Sequence, residues 1–137
     1  MKKHFVLFAL LLTLFSCSVD DDSAGNFYFE ILPVDSVIMP EQFNLGQSHE
    51  IEITYLRPSG CHVFNDFYYK AHDNERTVAV INTVYPDIDC ESFEDEYVQV
   101  SFNFRPINTG IYIFKFWQGE DEQGNDQYYI VEVPVEN

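Results

Sequence analysis

The segment that decides the fold is residues 49–56, which read HEIEITYL. Its apolar members Ile51, Ile53 and Tyr55 alternate with glutamate and threonine side chains. Because neighbouring side chains of a strand point to opposite faces, this alternation predicts a strand with one buried face and one face in solvent. Phenylalanine, tyrosine and valine, which favour strands, are frequent along the rest of the chain, and this composition indicates an all-β protein.

Further strands are predicted on both sides of this segment. Residues 97–104 repeat the alternation, with Val98, Val100 and Phe102 on one face. The remaining strands are expected at 27–39 with a kink at Pro33, and at 63–71, 77–85, 111–117 and 127–135. Turn-forming residues separate these segments. Seven strands at this spacing are typical of an antiparallel β-sandwich.

A short motif near the start of the sixth predicted strand narrows the fold class. Gly110-Ile111-Tyr112 resembles the tyrosine corner of immunoglobulin-like domains, in which a tyrosine hydroxyl bonds to the backbone across a loop. Gly110 suits a turn with positive φ. The resemblance implies a seven-strand antiparallel immunoglobulin-like β-sandwich over residues 27–137, and it implies nothing about function.

The N-terminal segment predicts export from the cytoplasm. Lys2 and Lys3 precede an apolar run at residues 5–15, which is shorter than the ~20 residues of a membrane-spanning helix and is typical of a secretory signal. Residues 14–17, LFSC, resemble the lipobox of bacterial lipoproteins. The resemblance implies cleavage before Cys17 and a diacylglycerol on the Cys17 thiol. An ordinary signal peptide is the alternative.

The resemblance to lipoproteins divides the chain into three parts. They are a signal peptide at 1–16, a lipidated acidic tether at 17–26 and the β-domain at 27–137. In the tether, Asp20-Asp21-Asp22 resembles the acidic export signal of surface lipoproteins in Bacteroidota-type bacteria. We therefore expect a protein anchored by its N-terminal lipid to the outer membrane at the cell surface, with a periplasm-facing anchor as the alternative.

The charge of the chain excludes one class of partner. Seven lysine and arginine residues stand against 23 aspartate and glutamate residues, and the formal net charge is −16 at pH 7. Phosphate backbones and anionic headgroups repel such a surface, so nucleic acid is not an expected partner.

The two cysteines downstream of the signal are expected to pair. Cys61 and Cys90 form an even pair in a chain that leaves the cytoplasm, which predicts one disulfide. The expected sandwich also places both at the same end of the domain. A two-cysteine metal site is the alternative, but the sequence lacks a CxxC pair and a spaced histidine pair.

Two acidic loops are expected beside the disulfide at that end of the domain. Clustered carboxylates can hold Ca²⁺, although solvated loops are the simpler interpretation and no cofactor is expected. With the neighbouring tryptophan, the candidate binding residues are Asp87, Asp89, Glu91, Trp117, Glu120, Asp121, Glu122 and Asp126.

No catalytic motif stands out, so we expect a protein that is not an enzyme. His49, His62 and His72 lie near predicted strand ends, and neither Gly-x-Ser-x-Gly nor His-Glu-x-x-His occurs. In the pairs 68–69 and 128–129, one tyrosine should be buried and the other exposed.

Exposed aromatic rings can stack on sugars or anchor a protein. The expected function is therefore a binding or accessory module for a glycan or an outer-membrane protein. A structural envelope lipoprotein without a ligand and a glycan-active enzyme using two acidic residues are the alternatives.

Overall fold

Strand formation follows the alternation of apolar side chains along the chain. The computed structural model describes residues 25–86 and 89–137. The predictions for 1–16, for the lipidation of Cys17, for the acidic run within 17–24 and for Asp87 lie outside the described residues. In the described ranges the strands are β1 (Tyr28–Leu32), β2 (Val34–Ile38), β3 (Phe43–Asn44), β4 (His49–Leu56), β5 (His62–His72), β6 (Glu75–Val84), β7 (Tyr97–Phe104), β8 (Gly110–Glu120) and β9 (Asp126–Glu136).

These strands form two sheets in the part of the chain that the structure describes. Sheet A has the order β1-β6-β8-β9-β3, with β5 also paired to β6, and it curls into a half-barrel. Sheet B has the order β2-β4-β7. β3 pairs with β9 and β6 pairs with β8 in parallel, whereas the other pairings are antiparallel. Within residues 25–86 and 89–137, no helix has the length and apolar character needed to cross a bilayer.

The all-β prediction and the two sheets are confirmed, but the prediction of seven antiparallel strands is wrong for the described residues. Pro33 divides the predicted strand 27–39 into β1 of sheet A and β2 of sheet B. Residues 43–44, which fall in an expected link, form β3. Parallel and antiparallel strands share the same side-chain alternation, so the pattern cannot reveal the direction of a pairing.

The core lies between the two sheets and is built from the inward residues of almost every strand. Ile51, Ile53 and Tyr55 of β4 are fully buried, as the alternation of residues 49–56 predicts. Phe43, Phe104 and Phe114 meet at the centre of the core, with ring centroids 5.0–5.9 Å apart. The aromatic side chains therefore join β3, β7 and β8 across the two sheets.

A disulfide joins Cys61 to Cys90, which confirms the predicted pairing. The Cα atoms lie 5.5 Å apart and the residues are 29 positions apart in sequence. The two loops also bond directly, because the N–H of Gly60 donates to the carbonyl of Glu91 at 3.0 Å and the N–H of Phe93 donates to the carbonyl of Pro58 at 2.9 Å. We call this end of the domain the disulfide end.

The described chain starts at the disulfide end. Tyr28 is the Cα partner of Val84, and the ring of Phe27 lies 6.3 Å from that of Tyr85. The N–H of Tyr85 donates to the carbonyl of Cys61 at 3.2 Å. The first described residue, Gly25, therefore lies at the disulfide end of the domain.

Tyr112 closes the opposite end of the domain. Its side chain is fully buried, and its hydroxyl accepts hydrogen bonds from the backbone N–H groups of Ile107 and Asn108, both at 3.2 Å. Gly110, which lies between Asn108 and Tyr112 in the chain, has φ of 99°, a left-handed conformation that glycine adopts without steric cost. The hydroxyl thus satisfies two donors of the loop that enters β8.

Candidate functional site

A cleft opens on the outer face of sheet A, where two strands share one edge of β6. Residues 75–78 of β6 pair with β8, and residues 80–84 pair with β1. β8 therefore leaves β6 after residue 78, and β1 takes its place. We call the cleft between them the aromatic fork; it measures about 480 Å³ and is lined by Ile31, Tyr68, Thr77, Ala79, Trp117, Glu120, Asp126 and Tyr128.

A bulge at the end of β8 shapes one wall of the aromatic fork. The pairing of β8 with β9 shifts register between Trp117 and Glu120. Gly119 within the bulge has φ of 99°, and a Cβ there would lie 3.6 Å from Cγ of Pro33. Because bulges turn side chains away from the regular pleat, this one re-aims the end of β8 over the cleft.

Asp126 organises the polar side of the aromatic fork. One of its carboxylate oxygens accepts from the indole N–H of Trp117 at 2.7 Å, and the other accepts from the Tyr128 hydroxyl at 3.3 Å. Burial and then the Asp126 carboxylate raise the pKa of the Tyr128 hydroxyl, which therefore stays protonated and able to donate at neutral pH. The Lys115 ammonium lies 5.0 Å from the centre of the Tyr128 ring.

The surface on the β1 side of the aromatic fork is apolar. Register places the side chains of Phe29 and Ile31 on the same outer face of sheet A as Tyr68. Phe29 is 61% exposed, and Ile31 and Val63 are each nearly half exposed. Exposed apolar residues that adjoin one another on a folded domain indicate a surface that meets a ligand or a partner.

The tyrosine pairs do not divide into one core and one surface residue, so that prediction is wrong. Tyr68, Tyr69 and Tyr129 are exposed and Tyr128 is half-buried. Tyr69 and Tyr129 sit on the inward side of β5 and β9, but these positions lie near the open margins of the sandwich. Strand alternation predicts which face of the sheet a side chain lies on. Whether the side chain is buried depends on whether the opposite sheet packs over that part of the face.

The acidic residues of the two loops lie in different parts of the structure. Asp89 and Glu91 lie exposed in the loop joined to Cys61, whereas Glu120 and Asp126 line the aromatic fork. Glu122 is exposed at the tip of the β8–β9 hairpin. Across residues 25–86 and 89–137, no three His, Cys, Asp or Glu side chains converge as a metal site requires, so the Ca²⁺ alternative gains no ligand set there.

Asp121 holds the tip of the β8–β9 hairpin together. One carboxylate oxygen accepts from the backbone N–H of Asn125 at 2.8 Å and from that of Gln123 at 2.9 Å. The Asn125 side-chain amide donates to the same carboxylate at 3.1–3.2 Å. These bonds, led by the Asn125 N–H, hold the pKa of the Asp121 carboxyl below its usual value.

We expect the hairpin tip to loosen in acid. Because the pKa of Asp121 is lower in the folded chain than in the unfolded chain, its stabilisation is complete above the unfolded value of about 3.9 and is lost as the pH falls through the folded value. NMR titration of the Asn125 amide should show a midpoint below about 3.9. Asp121→Asn should remove that transition, and a midpoint at or above the ordinary value would contradict the assignment.

His62 forms a second polar site, at the disulfide end. The residue is only 9% exposed, and its ring bridges two elements: Nδ1 lies 2.8 Å from the Ser59 hydroxyl and Nε2 lies 2.7 Å from a Glu30 carboxylate oxygen. The Ser59 hydroxyl also accepts from the N–H of Cys61 at 3.2 Å. This bridge from Ser59 through His62 to Glu30 braces the loop before β5 against β1.

Sequence reasoning missed this bridge and the aromatic fork for the same reason. Glu30 and His62 are 32 positions apart, and nothing in the sequence between them marks the contact. Trp117 and Asp126 were candidate binding residues, but Ile31 of β1 and Tyr68 of β5, which also line the aromatic fork, were not.

Comparison of the chain with protein-family models, with curated proteins and with solved structures finds no match.

Proposed function

We propose that this chain is a lipid-anchored, non-catalytic binding module of a bacterial outer membrane, and that the aromatic fork binds a glycan. The observation that carries the proposal is the cleft in which Trp117, Tyr68 and Tyr128 surround the Asp126 carboxylate. Flat aromatic rings stack on the apolar faces of sugar rings, and carboxylates accept hydrogen bonds from sugar hydroxyls. The volume of about 480 Å³ falls within the range of small-ligand sites.

The proposed location at the outer membrane rests on the N-terminal sequence. A lipid on Cys17 would leave the nine residues 18–26 as a leash, which spans at most about 30 Å when extended. Since Gly25 lies at the disulfide end, that end would face the membrane. A glycan bound in the aromatic fork would then belong to the layer closest to the outer membrane, and surface exposure through the acidic run at 20–22 is part of the same proposal.

An immunoglobulin-like relationship is also proposed, at the level of fold. The Tyr112 hydroxyl contact with the loop before β8 supports it. The relationship adds no function of its own, because domains of this class carry unrelated activities.

Trp117→Ala is the variant that tests the glycan site. Full chain in mild detergent should bind members of a neutral glycan panel, and the substitution should weaken that binding by about tenfold or more, the usual effect of removing a buried aromatic anchor. Tyr129→Ala is the matched control, because Tyr129 lies next to Tyr128 on β9 but does not line the aromatic fork. Its affinity should stay within about twofold of the unchanged protein.

Two results would contradict the proposal. One is the absence of any glycan whose binding depends on Trp117. The other is an equal loss in Trp117→Ala and Tyr129→Ala, which would indicate a general effect on the paired strands β8 and β9 rather than a site.

One observation favours a second candidate, a glycan-active enzyme. Glu120 and Asp126 are cross-strand partners that both line the aromatic fork, and glycoside hydrolysis uses two carboxylates. Release of reducing ends from a bound glycan, lost in Glu120→Gln while binding persists, would replace the binding module with this enzyme.

A further inference from the structure

A second groove lies at the open mouth between the two sheets, on the inward face of β5, whereas the aromatic fork lies on the outer face. The second groove measures about 560 Å³ and lies between β5 of sheet A and β7 of sheet B. Its two walls touch through side chains, because the ring of Phe102 lies 5.1 Å from that of Phe67 and 5.9 Å from that of Tyr69. We call it the arginine groove and define it by Phe67, Tyr69, Arg76, Phe102, Arg105 and Ile107.

Arg76 forms the floor of the arginine groove. It is 7% exposed, and its guanidinium donates to the backbone carbonyls of Asp73 and Glu75, both at 2.7 Å. The guanidinium carbon lies 5.0 Å from the ring centre of Tyr112 and 5.7 Å from that of Phe104. These contacts hold the side chain in place, and none of them is made by a carboxylate of the described residues, so its positive charge is not neutralised there.

Arg105 adds a second positive charge at the mouth of the groove. Its side chain is exposed, and in the described part of the chain no carboxylate lies within 4.0 Å of either guanidinium. The chain as a whole carries 23 acidic residues against seven basic ones. Two arginines line this groove, and neither is paired with a described carboxylate in a strongly acidic protein. They indicate a site for an external carboxylate, which guanidinium groups bind in a bidentate manner.

The groove is bordered by strand edges that have no backbone partner. In the described ranges β5 pairs with β6 alone, and β7 pairs with β4 alone. β5 is eleven residues long, and a register shift between Phe64 and Asp66 is its only irregularity in the pairing with β6. An exposed strand of this length presents backbone N–H and C=O groups that an extended peptide can pair with.

We propose that the arginine groove binds an extended acidic peptide that adds to the free edge of β5. Alternate side chains of an added strand face the same way. Apolar residues would pack on Phe67 and Phe102, and glutamate or aspartate residues would reach Arg76 and Arg105. The Asp66 carboxylate at the far end of the groove accepts from the N–H of Phe67 at 2.8 Å and limits the acidic segment to the arginine end.

A peptide fits the observations better than an acidic sugar because the free edge offers backbone pairing that a sugar cannot use. The groove is also separate from the aromatic fork, since the two share no lining residue. One protein partner and one glycan can therefore be bound independently.

The test uses a synthetic nine-residue peptide whose alternate residues are valine toward one end and glutamate toward the other, with threonine between them, so that both kinds of side chain face the groove. It is titrated against the full chain in mild detergent by fluorescence anisotropy. Arg105→Gln should weaken binding by about tenfold, the effect of losing one charge-assisted contact. Arg57→Gln is the matched control: it removes the same charge, but Arg57 pairs with Glu96 at the disulfide end. It should change the affinity by less than about twofold.

Backbone methylation of the peptide tests strand addition directly. N-methyl groups on every second residue should abolish binding in one register and leave it nearly unchanged in the other, because only alternate N–H groups face β5. Equal binding of both methylated peptides would overturn the proposal. So would equal weakening by Arg57→Gln and Arg105→Gln, binding of a glucuronate oligosaccharide in place of the peptide, or a dimer of the chain that Arg105→Gln dissociates.

Discussion

Replacing Phe114 with alanine is expected to lower the free energy of unfolding by about 3–5 kcal/mol, the usual cost of truncating a fully buried phenylalanine. The Phe114 ring is fully buried and lies within 6 Å of the rings of Phe43, Phe104 and Phe116. Its loss would open a cavity where β3, β7 and β8 meet, and neighbouring rings from three strands cannot all move in to fill it. Urea unfolding monitored by tryptophan fluorescence measures the change.

Phe29→Ala is the matched control for this variant. Phe29 belongs to the same sheet but faces solvent, so its removal should cost less than about 1 kcal/mol. Similar losses for the two variants would contradict the placement of the core. If Phe114→Ala does not fold, Phe114→Leu keeps the test open, with a smaller loss that should still exceed that of Phe29→Ala.

Removing the disulfide is expected to cost about 3.5 kcal/mol, because the bond closes a loop of 29 residues in the unfolded chain. Cys61→Ser and Cys90→Ser should lose similar amounts, and the double variant should lose no more than either one. Reduction of the unchanged protein should give the same shift in a urea titration. The hydrogen bonds between the two loops remain in all these forms, so the folded structure should persist.

Thiol labelling separates this effect from a packing defect. In the unreduced, unfolded full chain, peptide mapping should find Cys61 and Cys90 unlabelled, and both should react after reduction. Labelling of both before reduction would show that the disulfide is absent. A loss of stability on Cys61→Ser that reduction does not reproduce would point to packing around Cys61 instead.

The sequence carried enough information to predict the longer strands and the disulfide. Alternation over residues 49–56 and 97–104 places the buried faces of β4 and β7 correctly, because each strand has one face on the core and one in solvent. The cysteine pair needed no structure beyond the expectation that the chain is exported. These features depend on local pattern and composition, which a single sequence shows directly.

The side-chain alternation could not predict which strands pair or in which direction. β6 accepts β1 and β8 on the same edge and in opposite directions, and neither direction changes the side-chain alternation of β6. The aromatic fork follows from that divided edge, so Trp117 could be named a candidate without its partners Ile31 and Tyr68. The same holds for Arg76, which β6 places on the inward side, where an arginine is not expected.

The single residue Pro33 between β1 and β2 has a mechanical consequence. β1 is hydrogen-bonded in sheet A and β2 in sheet B. A force applied at Gly25 therefore loads the strand pairing of sheet A first and that of sheet B second. It must first detach β1 from β6 and then β2 from β4. β3 must leave β9 and β4 must leave β7 before tension reaches the cross-linked segment between Cys61 and Cys90. A domain tethered by its N-terminus would thus yield in steps under load, and the covalent loop would limit how far it can extend.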